Sequence, residues 1–148
     1  MRYKTLNVCT DAQNNNNKDL FVGLGTDVGS MFPYLSETLA DQALKQIRND
    51  SGYARALGFA IGHVYTSMSD EQRSIIMQQA DDNNKTEIAY GLGDGLGHSF
   101  PSLRSELQEE ILKLGLQKNS GKGLGFGLGY GFNHLDEIVQ DELILLID

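Results

Sequence analysis

Four stretches of this chain repeat one pattern: FVGLGTDVGSMFPYL at 21–35, ARALGFAIGHVYTSM at 54–68, AYGLGDGLGHSFPSL at 89–103 and GKGLGFGLGYGFNHL at 121–135. In register, Leu24-Gly25, Leu57-Gly58, Leu92-Gly93 and Leu124-Gly125 share one position, and Gly29, Gly62, Gly97 and Gly129 follow four residues after those glycines. Phe32, Tyr65, Phe100 and Phe132 come three further on, then Leu35, Met68, Leu103 and Leu135. Successive units are offset by 33, 35 and 32 residues. Four such matches are not chance. A period of this size marks a supersecondary unit that buries its apolar face by stacking on a neighbour.

The second half of each unit reads as an amphipathic helix. In SETLADQALKQI the apolar residues Leu39, Ala43, Leu44 and Ile47 fall at i, i+4, i+5 and i+8. Leu107, Ile111 and Leu112 repeat that spacing, as do Val139, Leu143 and Ile144, and this is helical periodicity. Ser69-Asp-Glu-Gln72 has the form of a capping box, and Ser36 and Asp136 are N-cap candidates. Thr86 and Ser120 are placed to cap the helices that follow them.

The first half of each unit is ambiguous, because glycine alternation such as GLGFGLGYGF also suits a strand or loop. The second unit decides for helix. ARALGFAIGHVY is alanine-rich and places Leu57, Ile61 and Tyr65 at i, i+4 and i+8. The paired glycines, four apart in every unit, then lie on one helix face. Eight glycines inside helices cost about 8 kcal/mol relative to alanine, which rivals the roughly 5–15 kcal/mol stability of a whole domain. Close approach of helices over small residues is the evident compensation. Residues 123–132, half of them glycine, test this reading hardest.

Polar stretches at 49–52, 81–86 and 118–122 join the units, and Pro33 and Pro101 punctuate the turn within two of them. The expected architecture is all-α: four tandem helical hairpins of about 34 residues each, over approximately 18–50, 51–85, 86–118 and 119–148. They would form an α-solenoid or a compact helical array. Residues 1–17, with an asparagine run from Asn14 to Asn17, read as a flexible N-terminal segment.

The 33–35-residue period and the Leu-Gly pair of the first helix resemble tetratricopeptide-type helical repeats. The second helices lack the small and aromatic residues of that pattern at the required spacing, and ankyrin and leucine-rich signatures are absent. The resemblance therefore implies the class, helical-hairpin repeats, and no particular family.

Composition narrows function. A net charge of −8 over 148 residues disfavours tracking nucleic-acid phosphates or docking on anionic membranes. Cys9 is the sole cysteine, so no intrachain disulfide forms and a cytoplasmic, reducing setting is expected. The chain's start has no apolar core of signal-peptide length, and no uncharged stretch approaches 18 residues.

Chemistry-bearing constellations are few. Gly121-Lys122 is followed by Gly123 and preceded at the critical spacing by Leu116, so a Walker A motif fails at both ends. No strand precedes the glycine runs, as a dinucleotide fold would require. Cys9 has no evident base, and Glu109, Glu110, Asp141 and Glu142 read as a solvated face rather than an acid/base pair. No catalysis and no cofactor are expected. His63 and His98 share a register position, so stacking brings their rings together. They are the candidates for a metal or small-ligand site, with Asp94 or His134 as a third donor. The plainer reading is that each caps carbonyls at a helix C-terminus.

One set of positions varies between units while the framework does not. It comprises Val22, Thr26 and Ser30; Arg55, Phe59 and His63; Tyr90, Asp94 and His98; and Lys122, Phe126 and Tyr130, each at i, i+4 and i+8. Stacked, these make one surface rich in interface-favoured residue types. The candidate partner-binding residues are Arg55, Phe59, His63, Tyr90, Asp94, His98, Phe126 and Tyr130, for a basic or hydrophobic protein or peptide. Alternatively Phe59 and Phe126 pack between units. The chain ends LILLID, and a terminal unit without a polar outer face seeks cover. Either the N-terminal segment folds back over it or another subunit covers it; self-association through Leu143, Leu145, Leu146 and Ile147 is expected, giving a homo-oligomer.

Overall fold

The computed structural model describes residues 18–45, 52–82, 85–117 and 121–146. The flexible reading of residues 1–17, together with Cys9, Ser120 and Ile147, lies outside them. The described chain is all-helical, with no strand. Its elements are α1 (Lys18–Ser30), α2 (Glu37–Lys45), α3 (Gly52–His63), α4 (Asp70–Asp81), α5 (Thr86–Ser99), α6 (Ser105–Gln117), α7 (Gly121–Gly131) and α8 (Glu137–Leu145). Short 3₁₀ turns at Phe32–Tyr34, Tyr65–Ser67, Phe100–Ser102 and Phe132–His134 follow α1, α3, α5 and α7. The glycine-dense segment near 123–132 is thus helical to Gly131, and its last residue, Phe132, opens the 3₁₀ turn.

The local chemistry sets the boundaries. Ser69 forms the capping box with Gln72, whose backbone N–H donates to the serine oxygen while its side-chain oxygen accepts from the Ser69 N–H. The Asp136 carboxylate accepts from the Val139 N–H at 2.9 Å, and the Ser36 hydroxyl accepts from the Leu39 N–H at 3.2 Å. Thr86 does not cap: Lys85 holds the cap position of α5 with no side-chain hydrogen bond there, and Thr86 is already the first helical residue. Glutamines of the second helices hold the turns. Gln108 and Gln140 donate to the Phe100 and Phe132 carbonyls at 2.9 and 2.8 Å, so each turn is tied to the helix after it.

Helices α1, α3, α5 and α7 lie side by side in one row, each packed along the next. They run parallel, since Gly58 meets Ile88 and Gly62 meets Leu96. A methyl group added at Gly58 would lie 2.5 Å from the Ile88 carbonyl oxygen, and one at Gly62 would lie 2.6 Å from the Leu96 nitrogen. Real Cβ atoms do not approach that closely, so backbone packs directly on backbone. This close approach offsets the helix-propensity penalty. Helices α3, α5 and α7 also have a second small-residue face that the sequence pattern did not single out. Ala56 and Ala60 on α3, Gly91 and Gly95 on α5, and Gly123 and Gly127 on α7 meet the preceding helix, for example Gly95 against the Phe59 carbonyl oxygen. Ser99 adds a polar stitch, its hydroxyl lying 3.2 Å from the Gly62 carbonyl oxygen on α3.

The core runs the length of the row. Leu57, Ile61, Ile88, Leu92 and Ile111 are buried, as are the register-equivalent turn residues Phe32, Tyr65 and Phe100. Burial pushes the Tyr65 phenol up to about 12, helped by the charge of Glu110 and opposed by Arg73. Among the described residues its hydroxyl has no hydrogen-bond partner.

Candidate functional site

The variable positions converge because the row is parallel and the units nearly equal in length: residues one period apart come to stand side by side. Near the C-terminal ends of the first helices, Phe59 lies edge-on to His63 and to His98, with ring centroids 4.7 and 5.3 Å apart. The His63 and His98 rings are 5.9 Å apart, and His98 sits 4.6 Å from Tyr130. Phe59, His63, His98 and Tyr130 thus form one chain of rings across α3, α5 and α7. A second group lies one helical turn and more towards the N-terminal ends. The Arg55 guanidinium stands 4.2 Å over the Tyr90 ring, Tyr90 is 6.0 Å from Phe126, and the Lys122 ammonium is 5.9 Å from Tyr90.

Charges in this surface are paired in place. Arg55 donates to Glu87 through Nε at 2.8 Å and Nη2 at 3.3 Å, a two-point contact that fixes the guanidinium over Tyr90. Glu87 was not apparent from the sequence pattern. His98 Nδ1 lies 2.8 Å from the Asp94 carbonyl oxygen and 3.2 Å from its carboxylate. A carbonyl only accepts, so Nδ1 carries the hydrogen and Nε2 is left for other contacts. His63 is held below its ordinary 6.5, first by burial against its neighbours, then by the charge of His98, with Asp94 opposing.

The surface is open towards the C-terminal unit. Phe126 is 59% and Tyr130 is 81% exposed, whereas Phe59 and Tyr90 are half-buried. Phe59 packs between α3 and α5 against His63 and His98 and keeps part of its ring exposed. Val22, Thr26 and Ser30, the first unit's share of the stripe, present no ring. Thr26 and Ser30 instead donate their hydroxyls to the Val22 and Thr26 carbonyls of their own helix. A cavity of about 300 Å³ adjoins the rings, walled by His63, Thr66, His98, Ser99 and Ser102. His134 lies exposed in the last 3₁₀ turn. Among the described residues no group of three or more His, Cys, Asp or Glu is placed to hold a metal ion.

Two further surfaces stand apart. A groove of about 560 Å³ runs between α2 and α4, floored by Leu35, Leu44 and Ile75 and edged by Glu37, Asp41 and Glu71. In the last unit Ile144, Leu145 and Leu146 are 53%, 69% and 49% exposed, and Ile138 is 73% exposed. Leu143 packs against the core, so it is not offered outward with them. No helix among the described residues is long and apolar enough to cross a membrane. Comparison with family models, curated proteins and solved structures finds no match for this chain, so the functional reading stands on this geometry.

Proposed function

We propose that this chain is a non-enzymatic tandem helical-repeat module, α-solenoid-like in plan. It binds a protein or peptide segment through the stripe formed by Arg55, Phe59, His63, Tyr90, Asp94, His98, Phe126 and Tyr130. The observation that carries the reading is the run of touching rings across three helices, ending in the largely exposed Phe126 and Tyr130. Aromatic groups already immobilised by their neighbours offer apolar contact at little further entropic cost. A net charge of −8 favours an apolar segment flanked by basic residues. The module belongs in the cytoplasm, and it self-associates through the apolar end of its last helix, where Leu145 and Leu146 are exposed.

A displayed random-peptide library selected on the purified chain tests this. Enriched peptides should be apolar and basic, and should lose at least tenfold in affinity for Phe59→Ala/Tyr130→Ala. Peptides that bind that variant equally well, or no enrichment at all, overturn the stripe as the binding surface. The cavity beside His63 and His98 favours one other reading, a small-molecule site. A stoichiometric adduct in native mass spectrometry, lost in His63→Ala/His98→Ala, would establish that reading instead.

A further inference from the structure

We propose that the groove between α2 and α4 is a second docking site, which takes a segment of a partner protein presenting an apolar side chain between basic ones. It lies on the second helices, apart from the ring-bearing stripe of the first helices, and does not rest on that reading. The groove opens because one residue is small. In the repeat register, Arg73, Gln108 and Gln140 hold the position of Ala40. Each of those long side chains lies back over the turn of its own unit. The Arg73 guanidinium is 5.7 Å over the Tyr65 ring, and Gln108 and Gln140 donate to the Phe100 and Phe132 carbonyls. A methyl group cannot reach that far, so the space of about 560 Å³ beside Leu35 and Ala40 stays open. Gln72 of α4 answers the turn instead, donating to the Phe32 and Pro33 carbonyls at 3.4 Å each.

The facing wall departs from the repeat in the same direction. Ile75 of α4 is 39% exposed, and its register equivalents are Gln42, Glu110 and Glu142. A single exposed isoleucine is unremarkable. Here two positions that are polar in every other unit are apolar, and they line one groove from opposite walls. The rim sets the sign of the partner. Glu37 and Asp41 on α2 and Glu71 on α4 edge the groove, and its described lining residues include no lysine or arginine. Lys45 answers Asp41 at 2.9 Å, so the charge of the rim rests chiefly on Glu37 and Glu71. Acids in a first turn are ordinary helix chemistry, but these border an apolar floor. An apolar side chain flanked by lysine or arginine satisfies floor and rim together. A second copy of the chain fits worse. Its exposed Ile144 and Leu145 are carried by a helix that also bears Glu137, Asp141 and Glu142, which would meet the rim as like charges.

Fluorescence anisotropy of a labelled amphipathic leucine–lysine peptide, titrated with the full chain at physiological salt, tests this. The peptide should bind, and should lose at least tenfold in affinity for Ala40→Gln/Ile75→Gln. That variant keeps the net charge and restores residues that other units already carry in folded helices. Glu37→Lys/Glu71→Lys should weaken binding comparably. The same charge change at Glu106→Lys/Glu109→Lys should leave it unaltered, as should the stripe variant Phe59→Ala/Tyr130→Ala. No binding, or undiminished binding by Ala40→Gln/Ile75→Gln, overturns the groove as a site. Equal weakening by Glu106→Lys/Glu109→Lys would reveal general attraction between opposite charges and overturns it too. A loss confined to the stripe variant would give the peptide to the rings, supporting the stripe and overturning the groove. Binding that emerges only with Arg2→Glu/Lys4→Glu would assign the groove to the chain's own N-terminal residues. A dimer that sedimentation shows to be lost in Ala40→Gln/Ile75→Gln would assign it to a second copy. Either result overturns the partner site.

Discussion

Gly62 and Gly129 occupy the same position in the sequence pattern and live in opposite surroundings. A methyl group on Gly62 would press 2.6 Å from the Leu96 nitrogen, and one on Gly129 would meet nothing within 4 Å among the described residues. In one place glycine is the only residue that lets two backbones touch. In the other it is merely a poor helix former, and among the described residues nothing packs on it to compensate. The same contrast separates Leu92, fully buried in the interior of the row, from Leu24, half-buried at its first helix. Leu124, in the last unit, is buried at the same position, so a residue's energetic role depends on which side of its helix the neighbouring unit fills.

The largest effect should come from the buried leucine of an interior helix. Leu92→Ala should lower unfolding stability by about 4 kcal/mol, near the upper part of the range for cavity-forming changes, and Leu24→Ala by about half of that. Urea denaturation followed by helical circular dichroism measures both, and equal losses would erase the distinction between interior and end. Gly62→Ala comes next, at about 3 kcal/mol of destabilisation, because backbone on α5 must move to admit the methyl group. Its mate is Gly129→Ala, which should stabilise the dilute chain by just under about 1 kcal/mol through helix propensity alone. Opposite signs at one register position are the sharpest form of the comparison, and a loss at both sites would break it.

Much of this was legible in the sequence, and the reasons are specific. The four-residue glycine spacing identified a helix face because it recurs unchanged in every unit. The second face escaped notice because it reads Gly23/Asp27, Ala56/Ala60, Gly91/Gly95 and Gly123/Gly127, a small-residue rule broken once by a carboxylate. The gathering of Phe59, His63, His98 and Tyr130 followed from the period, since near-equal units in a parallel row bring equivalent residues side by side. The Arg55–Glu87 pair did not follow, because its partners sit at different register positions and only the backbone geometry shows that they meet. Nor did the openness of Gly125 and Gly129. The last unit carries the same letters as the interior ones, and exposure belongs to its place in the row. Thr86 had the right chemistry for a cap, but α5 begins at that residue and not after it.

The smallest expected effect concerns the third register position, held by His63 and His98 inside the row and by Tyr130 at its open end. Burial and the nearby charge of His98 keep His63 below 6.5 in the folded chain. Unfolding restores the ordinary value, so as pH falls the unfolded chain takes up this proton first. Stability then declines with acid, because the unfolded state binds more protons over that interval. The contribution is fully present above about pH 6.5 and is lost as pH falls towards the folded value. His63→Gln should flatten the fall in the urea midpoint between neutral and mildly acidic pH, while Tyr130→Gln, which removes no titrating imidazole, should leave it unchanged. A proton NMR titration of the His63 ring reads the same shift directly. An ordinary value there would mean that the ring stands free in solvent, and would remove His63 from the packed run of rings on which the binding surface depends.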